Sequence, residues 1–226
     1  MPNGEIAIRV QSAVTASAVA DVDRRVRQLC LQHAARLPFH GWHHVNFVRS
    51  KAVQFAATNG ADAGVVEVAA LVHDLNYLIQ RNSPASAGRR LRLAILAAAG
   101  IVGKIARRVD DVVNEAEMCT RPRDISLEAQ ALSDADTLFK ALPTTPVMLA
   151  HRYLDENKVS LRSLATKIVG EQRGRYDDGF YFYSPTAAAT YSRWALANLE
   201  LWRCILESLD DPSVVELLSA TTAIVG

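Results

Sequence analysis

One segment leaves this chain little choice of architecture. Residues Val65 to Val72 read VVEVAALV, apolar at all but one position, and His73-Asp74 follows at once. A helix that is apolar nearly all round belongs in the middle of a core, because it has no face to give to water. A charged carboxylate at the end of such a helix costs several kcal/mol to bury unless it is paired or holds a metal. The same segment therefore fixes a central helix, about Asp62 to Asp74, and raises a question of chemistry at its end.

The rest of the chain follows a 3.6-residue pattern with few stretches of strict alternation. Val19, Val22, Val26, Leu29, Cys30, His33 and Leu37 recur at steps of three and four, which predicts a helix from Ser12 to Arg36. A second runs from about Trp42 to Thr58 and ends at the turn pair Asn59-Gly60. After a polar loop, Gln80 to Ser83, Pro84 opens a helix reaching Gly100. Further helices are expected at about 102–119, 126–142, 147–156, 160–172, 185–208 and 212–222. The chain has 226 residues and no linker-like segment or internal repeat. At roughly 100–200 residues per domain this predicts a single all-α domain, with a core at about 38–142 and C-terminal helices at about 143–222 packed on it.

Composition excludes several classes. Lys+Arg total 25 against 24 Asp+Glu, a balance that argues against a dedicated nucleic-acid binder. The most apolar run, Leu93 to Gly103, is too short to span a bilayer and is flanked by Arg92 and Lys104. Cys30, Cys119 and Cys204 lie far apart with no CxxC spacing, which speaks against a structural zinc knot and for free thiols in a reducing compartment. Residues 1–11 lack the cationic-then-apolar pattern of a leader. A cytoplasmic protein without membrane contact is expected.

Four polar residues stand where apolar ones belong. His73 and Asp74 close the central helix. Asp136 shares a helical face with Phe139 and Leu142, and His44 precedes Val48 by four and Ala52 by eight. Singly, such a His is more often a hydrogen-bonded core residue, and such an Asp a cap. Together, two imidazoles and two carboxylates form a mixed N/O set suited to a divalent ion.

The ordered set resembles the HD-domain metal-dependent phosphohydrolases. FHGWHHVNFV is similar to the family's opening, and its register selects His44 rather than His43 as ligand. ADAGVVEVAALVHDL resembles the family's central helix, SPASAGRRLRLAILAAAGI the helix after it, and SLEAQALSDADTL the helix bearing the last Asp. Tyr77, Asn82 and Ser86 resemble a branch of small hydrolases, and His40 has a counterpart in some branches. The likeness covers about residues 38–142, with a weaker echo in FYFYSPTAAATYSRWALANLELW. It implies an HD-type helical bundle with metal ligands His44, His73, Asp74 and Asp136, and a divalent ion (Mn, Fe, Co, Ni or Mg). It also implies a substrate that is a nucleotide or another small phosphoester. Asp74 is then ligand and candidate proton acceptor, and His40, Tyr77 and Arg81 are candidates to contact the reacting phosphate.

Two departures stand out. Many family members carry another His between the HD pair and the last Asp, whereas NEAEMCTRPRD has none and offers Glu117 or Cys119 instead. Thr137, Leu138 and Phe139 follow Asp136 where Arg-Leu-Asp is common. These favour one metal over two. They also motivate one alternative, a catalytically reduced domain that binds a nucleotide or protein as a regulator; a second alternative, an iron-dependent oxygenase, would need extra histidines in a window that holds none. Arg89, Arg90, Arg92, Arg107 and Arg108 are read as a basic surface or a solvated face. The stretch RYDDGFYFY, residues 175–183, is expected to pack on the core rather than form a lid. Trp194, Leu201 and Trp202 are expected in the core or on a homodimer face.

Overall fold

The computed structural model describes residues 13–225, with side chains through residue 220. The segment read for a leader and Ser12, the expected helix start, lie outside the described residues. All regular elements among the described residues are helices, as the periodicity requires.

The central helix is α3, Ala63–Val72. The Asp62 side chain caps it, accepting from the backbone N–H of Gly64 at 3.1 Å and Val65 at 3.3 Å. Its described side chains are buried except at Ala63 and Glu67. Glu67 meets Arg49, which also binds Asp23, so the one charged position of the apolar run is neutralised. Around it pack α1 (Ala16–Gln32), α2 (Trp42–Asn59), α6 (Gly103–Glu115) and α7 (Leu127–Ala141). In α1 the buried residues are Val19, Val22, Val26 and Cys30, the stripe its sequence spacing predicts. Gly60 ends α2 with φ +81°, a left-handed conformation that glycine adopts without steric cost.

Several expected boundaries move. Asn76–Ile79 forms a one-turn helix, α4, too short for periodicity to reveal. The helix expected from Pro84 divides into a 3-10 turn, Ala85–Gly88, and α5, Arg89–Ala98. At Gly88 a Cβ would stand 2.6 Å from Asn76 N, so this turn lies on the backbone of α4 as only glycine permits. The helix expected at 147–156 splits into α8, Thr144–Met148, and α9, Ala150–Asn157. The next, α10, continues to Asp177. Then come α11, Pro185–Ser208, with Ser184 as cap and Pro185 in its first turn, and α12, Pro212–Val225.

One apolar cluster runs through α1 to α7 and takes in Tyr181, Phe182, Ala187, Ala195 and Leu199. A smaller cluster, Leu164, Ala165 and Trp202, joins α10 to α11. Trp202 is thus core, whereas Trp194 and Leu201 are exposed. The 175–183 stretch packs as expected, with Tyr181 and Phe182 buried. Arg121 donates to the carbonyls of Phe180 and Tyr181, and Asp134 accepts from the N–H of Tyr183 and Ser184, both at 2.7 Å.

Of the arginines read as a basic surface or a solvated face, Arg89, Arg90, Arg107 and Arg108 are exposed, and Arg92 is the exception. Arg92 is fully buried and pairs with the buried Asp110 on α6, which also meets Arg89. Arg108 binds Glu128. These guanidiniums hold helices together because buried carboxylates stand opposite them.

Candidate metal centre

Three helices bring the candidate ligands together. His44 sits in the first turn of α2, His73 and Asp74 follow α3, and Asp136 lies in the middle of α7. His44 is completely buried and His73 nearly so. His44 Nε2 stands 3.1 Å from His73 Nε2 and 2.9 Å from Asp74 Oδ2, and His73 Nε2 is 3.1 Å from the same oxygen. Asp136 Oδ1 lies beside this group of three, 3.6 Å from His44 Nε2. His43, the neighbour passed over in the sequence, is exposed and forms no part of this cluster.

These distances carry chemical meaning. Donors held by one ion at about 2.1 Å stand about 3.0 Å apart along an octahedral edge and about 3.4 Å apart along a tetrahedral one. The triangle of His44, His73 and Asp74 has the octahedral edge. Asp74 Oδ2 is buried and makes no well-formed hydrogen bond, despite two imidazole nitrogens within reach. Three lone-pair-bearing atoms converge where a cation would satisfy all of them.

The surroundings support the same donor set. His73 Nδ1 donates to the Ala70 carbonyl at 2.8 Å, which in the neutral ring leaves Nε2 unprotonated toward the cluster; burial lowers the pKa of this imidazole, but the Asp74 carboxylate outweighs it and raises it. His44 Nδ1 is buried with no partner. Burial holds the His44 imidazole below its usual pKa and hence neutral, the form that ligates metals. Burial also pushes on Asp74, but the neighbouring imidazoles outweigh it and keep its carboxylate ionised. Asp136 Oδ2 accepts from Lys140 Nζ at 2.5 Å, which orients Oδ1 toward His44.

A cavity of about 390 Å³ opens beside the cluster, with His73, Asp74 and Asp136 in its wall. His40 and Tyr77 line it too, their rings stacked with centroids 3.6 Å apart. Arg81 does not: it is exposed on the turn after α4, on the side facing Asp155. The cations on the wall are Lys140 and Lys167. Lys167 Nζ donates to Asn82 Oδ1 at 3.0 Å and Tyr153 Oη at 3.3 Å. Glu117 and Cys119, the candidates for the missing histidine, line the cavity but lie outside the His-His-Asp cluster.

Sequence reasoning missed three groups here: Lys140, Lys167 and Glu156, whose carboxylate accepts from the backbone N–H of Phe39 and of His40. Lys140 had a signal, its i+4 spacing from Asp136 on a helix. Lys167 and Glu156 had none, because they come from α10 and α9, far along the chain.

No protein-family model matches this chain, and no curated protein does either. Among solved structures it is similar to the crystal structure of a Lactobacillus plantarum protein, a structural-genomics target. The two share 18% identity over 87% of this chain and 97% of the other, with a TM-score of 0.63. That likeness shows a shared fold. No helix among the described residues is long and apolar enough to cross a membrane.

Proposed function

We propose that this chain is an HD-type hydrolase of small phosphoesters that works with one divalent metal ion. The observation that carries the reading is the convergence of His44 Nε2, His73 Nε2 and Asp74 Oδ2 within 3.1 Å of one another, at the wall of a cavity. His44, His73, Asp74 and Asp136 would hold the ion. When bound, it supplies Lewis acidity toward a phosphoryl oxygen and lowers the pKa of water beside it.

The chain's own residues do the rest. His73 is locked in the ligating tautomer by Ala70, and Asp136 is oriented by Lys140. Lys167 is held by neutral oxygens of Asn82 and Tyr153, so its charge remains available to an anionic group. Phe39, Val113, Leu132, Ile168 and Trp202 supply apolar wall for the body of the substrate.

The test is elemental analysis of chelator-free protein beside a His73→Ala, Asp74→Ala variant, followed by a phosphoester screen across metals. About one metal per chain, absent from the variant, with phosphate release that depends on it, is the expected result. Two irons per chain would turn the assignment to an oxygenase. A chain that takes up no metal even after loading would be a binding module.

A further inference from the structure

His40 is held on the cavity wall in a way that the metal ligands do not explain. Its partner is Glu156 on α9, only 2% exposed and drawn from a part of the chain with no motif of its own. Glu156 Oε2 accepts from the backbone N–H of Phe39 at 2.8 Å and of His40 at 3.0 Å, while Oε1 meets His40 Nδ1. Burial raises the pKa of this carboxyl, but the His40 ring and the two N–H donors outweigh it and keep it ionised.

An ionised carboxylate only accepts, so the ring proton facing it sits on Nδ1, and in the neutral ring Nε2 keeps its lone pair. Nε2 makes no hydrogen bond to any described residue, and the ring lines the cavity with His73, Asp74 and Asp136. Tyr77 lies nearly flat on the ring, with an interplanar angle of 17°, and Phe39 packs against it edge-on. Ring plane and tautomer are both set by the fold.

We propose that His40 is the proton acceptor for the reaction in this cavity and that Glu156 is the positioning residue that fixes its tautomer. The proposal rests on the hydrolase reading above. In the step, an O–H bond of water breaks and its proton passes to His40 Nε2. The water oxygen forms the new P–O bond as the P–O bond to the leaving group breaks. The proton on Nε2 is then returned to the leaving oxygen.

Glu156→Gln gives a specific test, because an amide cannot imitate this carboxylate at both ends. Its oxygen is needed by the two backbone N–H groups, which turns its NH2 toward Nδ1. Nδ1 must then accept, and the proton moves to Nε2. The experiment is ring 15N NMR of the full chain at pH 8, metal-free and metal-loaded, with His40 assigned by His40→Gln. Wild type is expected to show a protonated Nδ1 and a bare Nε2, and Glu156→Gln the reverse. In the phosphoester assay, Glu156→Gln and His40→Gln are each expected to lower kcat by about 10²–10³-fold, with KM and metal content little changed.

A wild-type ring protonated at Nε2, or a tautomer that Glu156→Gln leaves unaltered, would overturn the proposal. So would full kcat in His40→Gln, which keeps Glu156 and its two backbone contacts and so covers the case of Glu156→Gln failing to fold. Loss of the hydrolase reading looks different. The tautomer inverts as expected, but the chain holds no metal and releases no phosphate, so Glu156 still orients His40 while the proton-transfer role is overturned.

Discussion

The helices that carry the ligands and the helices that close the cavity are built differently. In α3 and α7 most side chains are buried, Glu128 and Asp134 among them, and each charge there meets a partner. In α9 to α12 burial is sparse, and Val215, Leu217 and Leu218 of α12 face solvent. Yet the second region supplies Glu156 from α9 and Lys167 from α10. A fully packed core places ligand atoms to within the tolerance that coordination demands. The looser helices set what surrounds them.

Matched substitutions put this difference to the test. Leu71→Ala, in the fully buried wall of α3, is expected to cost about 3 kcal/mol in chemical denaturation. A cost below about 1 kcal/mol would mean that α3 is not the centre of the core.

Glu156→Gln links the two regions and is expected to cost about 2 kcal/mol near neutral pH, since it weakens hydrogen bonds to a charged group. Its sign with pH is fixed by the depressed pKa of Glu156 in the fold. The native state binds this proton more weakly than the unfolded chain. The contribution is therefore complete above the unfolded pKa of about 4.3 and is lost as pH falls through the folded value. Melting curves of wild type and variant should converge in acid; a constant gap would mean that the charge of Glu156 contributes nothing.

Smallest is the counterpart of the first change. Leu217→Ala, at 62% exposure on α12, is expected to alter stability by no more than about 0.5 kcal/mol. A larger loss in this monomer-level assay, growing with protein concentration, would show that α12 is covered by another copy in solution.

Much of the first region was legible in the sequence. The run VVEVAALV could only be a central helix, and His44 and Asp136 betrayed themselves as polar residues on apolar faces. Register separated His44 from His43, because adjacent helical residues point about 100° apart. Arg81 misled for a related reason. It stands close to Asp74 in sequence, but a turn after α4 carries it outward, and no periodicity applies to a turn. Arg92 misled because charge patterning assumes water opposite each charge, and here the buried Asp110 stands opposite.

The sequence by itself determined an all-helical chain, its central helix and four polar residues placed where apolar ones belong. Those follow from local periodicity and from the cost of burying charge, both of which act over a few neighbouring residues. Tertiary structure alone decided that His44, His73 and Asp74 meet with Asp136 beside them, that Lys140 and Lys167 rather than Arg81 face the cavity, and that Glu156 contacts the His40 ring. His40 and Glu156 stand 116 residues apart. A contact of that span depends on how helices pack, and packing is a property of the whole core rather than of any segment.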